Sequence, residues 1–289
     1  MKLTEVLLQM GFKQSHYDYT LFIREANGDT VIILMYVDDL LITGNNDKSL
    51  HDTRTQLQKK FKMKDLGELK NFLGIEFSRS KEGILMYQRK YALELMSETG
   101  LGGAKPSGTP LELNKKLTYV ECDKCNQITN QEVQVLIQYM HCPKVSHMEA
   151  ALRVVRYIKQ APIQGLLMPA ERADKLIAYC DSDWASCIES MRPVTGYLVK
   201  FGNALVSWKS KKQMTVSRSS AEVEFKRLLK TQYVHTQDQL ADLLTKSLGK
   251  FQHDQLLNQL EVKNRSVSLK CGFPLRVFFL KLDLQIYDN

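Results

Sequence analysis

Two adjacent carboxylates set between two strand-like apolar runs constrain this chain more than any other feature. Thr30 to Tyr36 is apolar and rich in β-branched residues, Leu40 to Thr43 is a second such run, and only Val37-Asp38-Asp39 separates them. Runs of this kind read as strands, so the carboxylates fall at or near a hairpin tip. The flanks Ile32-Ile33-Leu34-Met35 and Leu40-Leu41-Ile42 demand burial, whereas like charges this close raise each other's pKa. A divalent cation removes that penalty. Mg2+ prefers one or two carboxylates together with substrate phosphates, and a pair of such ions can activate a hydroxyl and stabilise a leaving group. Aspartate is also a common turn residue, and a plain turn is the competing reading.

The rest of the text is mixed. Asp18 to Arg24 reads as a strand and Asn27-Gly28 as a turn. Asp47 is placed to N-cap a helix from Lys48 to about Phe61, with Leu50, Leu57 and Phe61 on one face. Phe72 to Ser78 and Ile84 to Gln88 read as strands around Lys81-Glu82-Gly83, and Tyr91 to Thr99 as a helix stopped by Gly100 and Gly102. Lys105 to Pro110 reads as a linker. His147 to Gln160 is amphipathic, with Met148, Ala151, Leu152, Val155 and Ile158 on one side. Leu176 to Cys180, Gly196 to Phe201 and Leu205 to Trp208 then read as strands, with Gly202-Asn203 turning the last two. Ser219 or Ser220 can cap a helix through Lys230, and Leu240 to Leu248 is a further helix. From Lys263 the sequence changes character. The fold class expected is α+β.

The chain has 289 residues, a formal net charge of +8 and a pI near 9.0. That excess favours an anionic partner, of which nucleic acid is the commonest, over a merely solvated basic surface. Six cysteines in a chain this long do not make a secreted framework, no basic start leads into an apolar leader, and no apolar run is long enough to cross a bilayer. An intracellular protein, cytoplasmic or nuclear, with no membrane partner is expected. Cys122 and Cys125 with His141 and Cys142 form a loose zinc-like set. The adjacency of the last two makes shared coordination awkward, and incidental thiols are the competing reading.

A second group of acids lies downstream. Asp181 ends an apolar strand, Glu224 (with Glu222 as alternative) sits on the first turns of a helix, and Asp242 lies on a later helix. Acids on separate elements can converge on Mg2+ and cleave a phosphodiester with an activated water, although spacing alone leaves each a solvated carboxylate. Lys209, Lys211, Lys212 and Arg218 form a basic cluster suited to phosphates, with Trp208 and Tyr197 as stacking groups. A solvated loop with core aromatics is the alternative.

At this point the sequence resembles a family. Tyr36-Val37-Asp38-Asp39 followed by Leu40-Leu41-Ile42-Thr43-Gly44 resembles the palm signature of copia-type reverse transcriptases. Gly11-Phe12 through Asp18 and Leu21-Phe22 resemble the segment before it. Phe61 through Gly67, Phe72-Leu73-Gly74-Ile75, Gln88, Lys90 and Tyr91 resemble the segment after it. Tyr179-Cys180-Asp181-Ser182-Asp183-Trp184-Ala185, Ser207 through Gln213, Thr215 through Ser220 and Gln239 through Lys246 resemble the RNase H domain of the same polyprotein.

The resemblance implies a partial reverse transcriptase palm over 1–110, a shortened connection over 111–170, an RNase H-like mixed sheet with helices over 171–262, and an unrelated tail over 263–289. It further implies Asp38, Asp39, Asp181, Glu224 and Asp242 as catalytic metal ligands, Mg2+ as cofactor, and an RNA–DNA hybrid or template-primer as partner. Against the family pattern, a third palm carboxylate belongs to a segment preceding residue 1. The strand bearing Cys-Asp-Asn is missing before Thr231, and an Arg-Pro-Asp stretch is missing near Gln134. The expectation is therefore an incomplete catalytic set, inactive as a lone chain, with an RNase H remnant of marginal stability because a lost interior strand leaves backbone groups unpaired. A non-catalytic nucleic-acid-binding remnant, or a translated relic without function, is the alternative.

Overall fold

A computed structural model describes residues 3–111, 144–171, 174–183, 193–212, 233–264 and 276–282, with Lys212, Arg276, Lys281 and Leu282 described as backbone only. In chain order the elements begin with α1 (Leu3–Gln9), β1 (Lys13–Gln14), β2 (Leu21–Ala26), β3 (Asp29–Tyr36), β4 (Asp39–Gly44), α2 (Asp47–Lys60), β5 (Met63–Glu68) and β6 (Asn71–Phe72). They continue with β7 (Ile75–Arg79), β8 (Gly83–Tyr87), α3 (Arg89–Glu98), α4 (Val145–Gln160), β9 (Gln164–Pro169), β10 (Leu176–Asp183), β11 (Val194–Phe201) and β12 (Ala204–Lys212). The last are α5 (Asp242–Thr245), α6 (Lys250–Gln259), β13 (Val262–Asn264) and β14 (Arg276–Leu282). The chain is thus α+β, in two compact units: Met1–Leu73 with Cys271–Asn289, and Gly74–Lys270.

The first unit is an antiparallel sheet in the order β1-β2-β3-β4-β14-β5. Its buried face follows strand alternation: Phe22, Val31, Ile33, Leu40, Ile42 and Leu280 point to one side and are at most 1% exposed. Leu7 of α1 and Leu50 and Leu57 of α2 close over that face. Burying each such side chain contributes about 1.5–3 kcal/mol, which is what holds the hairpin β3–β4 in register. The N-cap of α2 is Asn46, not Asp47: its side chain accepts from the N–H groups of Lys48 and Ser49 at 2.8 and 3.4 Å. Asp47 instead places its charge in the first turn, where the helix dipole favours it. The strand expected from Asp18 begins only at Leu21, because the Asp18 carboxylate accepts from Thr20 N–H and Oγ1 and folds those residues into a turn.

The sequence change at Lys263 does not end the regular structure. Lys263 continues β13, and β14 becomes an interior strand of the first unit's sheet.

The second unit contains the antiparallel set β13-β9-β8-β7 and the three-stranded sheet β10-β11-β12. The run Phe72–Ser78, expected as one strand, is interrupted by left-handed backbone at Leu73 and Gly74 (φ 51° and 78°). On α4 the buried residues are His147, Ala150 and Val155, whereas Met148 is 56% exposed. The expected stripe is rotated because His147 Nδ1 accepts the Lys144 N–H at 3.1 Å and turns inward at the helix start. Leu198, Leu205, Leu240, Leu243, Leu248, Leu256 and Leu260 form a core beneath β11 and β12. Of the helix expected over Leu240–Leu248 only α5 is helical. The helix expected from Ser219 or Ser220, and the Cys122, Cys125, His141 and Cys142 set, lie outside the described residues.

Candidate active site

The β3–β4 register pairs Tyr36 directly with Asp39, so Val37 and Asp38 alone make the hairpin loop. A loop this short requires positive φ, which glycine or asparagine normally supplies. Here Val37 supplies it, at φ 52° and 82% exposure. A β-branched side chain in left-handed backbone is strained by about 1–2 kcal/mol, a cost usually met at functional sites. Asp38 sits in the loop and Asp39 in the first position of β4. One oxygen of each carboxylate (Oδ1) is buried without a hydrogen-bond partner among the described residues. The half-exposed ring of Tyr36 meets Phe72 edge-on, at 6.3 Å between centroids, and Phe72 meets Phe279 of β14 at 6.1 Å. An aromatic row therefore supports the hairpin tip.

In the second unit the structure brings Asp181 and Asp242 together. Asp181 lies inside β10, opposite Gly196 of β11. A Cβ on Gly196 would stand 2.9 Å from both Leu244 Cβ and Thr245 Cγ2, so only glycine lets α5 lie this close to the strand bearing Asp181. Thr245 Oγ1 donates to Asp181 Oδ2. Gln239 Nε2 donates to Cys180 O at 3.2 Å and anchors the approach to α5. Lys246 Nζ donates to Asp242 Oδ1 at 2.8 Å and to Asp181 Oδ1 at 3.4 Å. Burial pushes the Asp242 carboxyl above its ordinary range, against the opposing pull of Lys246. For Lys246 burial works downward, but the hydrogen bond to Asp242 and the charges of Asp181 and Asp242 lift it above the usual lysine value.

Lys209 and Lys211 are exposed, and their register partners on β11 are Tyr197 and Thr195. These four share one sheet face. Trp208, paired with Leu198, lies on the opposite face with Asp181, so it does not join Tyr197 beside the lysines. Lys212 is described as backbone only, and Arg218, Glu222 and Glu224 lie outside the described residues.

Residues 1–113 match the family described as reverse transcriptase (RNA-dependent DNA polymerase). The chain is 35% identical over 250 residues to the retrovirus-related Pol polyprotein from transposon RE1 of Arabidopsis thaliana, covering 80% of this chain and 17% of that polyprotein. It is 34% identical over 217 residues to an uncharacterized mitochondrial protein of the same plant, covering 69% of this chain and 90% of that protein. The chain belongs to the copia-type retrotransposon Pol family. It spans a small part, 17%, of the RE1 polyprotein. A similar likeness, 27% identical over 233 residues, extends to the Pol polyprotein from transposon TNT 1-94 of Nicotiana tabacum. No solved structure matches the chain significantly.

Within this Pol-family chain the two acid pairs differ in their fitness for a cation. The orphaned Oδ1 atoms of Asp38 and Asp39 fit a hard ion, since nothing described neutralises them. At the Asp181–Asp242 pair one oxygen, Asp242 Oδ2, is likewise buried without a hydrogen-bond partner among the described residues, but the Lys246 ammonium already bridges both carboxylates and supplies the positive charge that an ion would bring. Among the described residues no group of three or more His, Cys, Asp or Glu side chains gathers for a metal. Lys246 and Thr245 were missed in reading the sequence. The i,i+4 spacing of Asp242 and Lys246 on one helical turn was the signal available for the lysine.

Proposed function

We propose that this Pol fragment binds nucleic acid at the Tyr36–Asp39 hairpin with the help of Mg2+, and that it does not turn over as a lone chain. Its ancestry is RNA-directed DNA polymerase with hybrid ribonuclease. The observation that carries the reading is the pair of buried carboxylate oxygens on Asp38 and Asp39, without a hydrogen-bond partner among the described residues, at a strained, exposed tip. Two adjacent carboxylates hold Mg2+ weakly, and nucleic-acid phosphates supply the ligands that the protein does not. Once bound, the ion would neutralise phosphate charge and orient a 3′-hydroxyl. Asp181 and Asp242, bridged by Lys246, take no part in this reading.

The test is binding of a labelled template-primer to the purified full chain, with and without Mg2+, alongside primer extension and hybrid cleavage. Mg2+ is expected to strengthen binding, with the increment lost in Asp38→Asn/Asp39→Asn and no extension or cleavage in any form. Extension abolished by Asp38→Asn, or cleavage abolished by Asp181→Asn, would overturn the claim of inactivity. Binding indifferent to Mg2+ would overturn the role of the hairpin.

A second reading rests on the face shared by Tyr197, Lys209 and Lys211, a stacking group beside two exposed cations. Such a face binds nucleic acid without metal and with strong salt dependence. Replacing both lysines by alanine is expected to lower the slope of log K against log salt by about 2 while leaving the Mg2+ increment intact.

A further inference from the structure

The strand Arg276–Leu282 stands between β4 and β5, two strands that do not pair with each other. It pairs antiparallel with Gly44–Asp39 on one side and with Glu68–Met63 on the other. Leu69 N–H adds a bond to Val277 O at 2.9 Å. Without this strand, β4 and β5 would face each other across a gap one strand wide, each with an unpaired row of backbone donors and acceptors.

The side chains show a built seat. Leu280 is 0% exposed and joins the core cluster of Leu40, Leu50 and Leu57, with Phe278 packed against the same cluster. On the other face Phe279 meets Phe72. Arg54 of α2 stands 4.0 Å over the Phe278 ring while its guanidinium pairs with Asp65 of β5, so one side chain clamps the strand against its neighbour. The occupant nevertheless belongs to a stretch far along the chain from the strands that hold it. In sequence it follows β13 of the other unit, after residues 265–275. A bulge against β5 at Phe279/Leu280 interrupts one of its two ladders.

We propose that the gap between β4 and β5 is a peptide-acceptor site for an extended segment carrying apolar side chains at alternate positions and an aromatic between them, with Arg276–Leu282 as its exchangeable resident. The site lies beside the carboxylates: the register of the resident strand sets Lys281 opposite Asp39. Recognition is by strand addition, in which main-chain hydrogen bonds give affinity and the seats of Phe278 and Leu280 give selectivity.

The experiment uses the full chain with a specific protease site placed within residues 265–275, cleaved after folding. The released segment is expected to stay bound through size exclusion. A fluorescent peptide of residues 274–284 is expected to replace it, and the same peptide carrying Leu280→Asp is not. The intact chain, whose tethered strand acts at an effective concentration near the millimolar range, is expected to take up the peptide roughly a hundredfold less readily. Hydrogen exchange at Leu40–Thr43 should rise when the segment is washed out at low denaturant and fall again when peptide is added. Loss of the segment on cleavage with no peptide uptake would overturn the proposal, as would equal uptake by cut and intact chains. Exchange of strands between two intact copies, seen as a dimer, would also overturn it, by assigning the slot to a second molecule.

Discussion

Lys246 Nζ lies 2.8 Å from Asp242 Oδ1, one helical turn away, and Asp242 is 1% exposed. The lysine is the cation that makes the burial of that carboxylate tolerable. It keeps 41% of its side-chain exposure, so solvent screens part of the attraction. Lys246→Met is expected to destabilise the second unit by about 1–3 kcal/mol, the cost of leaving a buried carboxylate unsatisfied. Lys246→Met/Asp242→Leu should recover most of the loss, since both charges are then gone. Urea unfolding of the three proteins measures this. Equal stability of wild type and Lys246→Met would remove the lysine from the role given to it.

The same pair sets a pH dependence. The Lys246 pKa is raised above its ordinary 10.5 in the folded chain. A raised lysine contributes stability that is fully present below the unfolded value and lost as pH climbs through the folded one. The advantage of wild type over Lys246→Met should therefore be steady from the pH at which Asp242 has ionised up to about pH 10 and shrink beyond it. Asp242 acts with the same sign in the acid range. Its folded pKa lies above 3.8 because of burial, so the folded state holds its proton longer and stability falls as pH rises through that interval. Asp242→Asn should remove this fall. Unfolding midpoints measured on the acid limb and on the alkaline limb read the two groups separately.

How far the sequence foretold this arrangement depends on whether local pattern or long-range pairing decides each element. The β3–β4 hairpin was legible because its residues alternate, its tip is short and its flanks are strongly β-branched. Asp181 and Asp242 were legible as candidates, but their approach depends on Gly196 admitting α5, and spacing along the chain does not encode that contact. The inward turn of His147 goes with a backbone bond from Lys144, which moved the buried stripe of α4 away from Met148. The strand Arg276–Leu282 was least legible. Its apolar residues are ordinary, and its place between β4 and β5 follows only from partners far earlier in the chain, such as Leu40 opposite Leu280.

Gly196 sets how closely α5 approaches β11. A methyl group there would press on Leu244 Cβ and Thr245 Cγ2, both 2.9 Å from its ideal position. Neither atom is the far end of a flexible chain, so α5 must shift away from β11. Gly196→Ala is expected to cost about 1–3 kcal/mol, as overpacking does. It should also lengthen the Thr245–Asp181 bond, seen as altered chemical shifts of the Thr245 methyl. An unchanged unfolding midpoint would mean that the helix has room the structure does not display.

Leu280 tests whether the late strand carries weight in the first unit's core. It is fully buried beside Leu40 and Leu57. Leu280→Ala should lower stability by about 2–5 kcal/mol, the sum of lost transfer energy and a residual cavity. Leu66, which is 40% exposed on β5, makes the comparison. Leu66→Ala should change stability by well under about 1 kcal/mol, as surface substitutions usually do. Denaturant titration of both variants decides, and similar losses would show that burial is not what distinguishes them.

Val37 offers a substitution that should stabilise. Its φ of 52° is unfavourable for a β-branched residue, and its side chain is 82% exposed, so little packing is lost when it is replaced. Val37→Asn keeps a side chain that tolerates left-handed backbone and is expected to raise stability by roughly 1 kcal/mol, measured by urea unfolding. The consequence for the neighbouring carboxylates follows from the same geometry. A relaxed loop is less tightly determined than a strained one held by its surroundings, so the orientation of Asp38 should become less restricted. The Mg2+ increment in template-primer binding is then expected to fall in Val37→Asn even as the chain becomes more stable. A rise in both quantities would show that the strain serves no purpose at the tip, and that valine there reflects nothing about the ion.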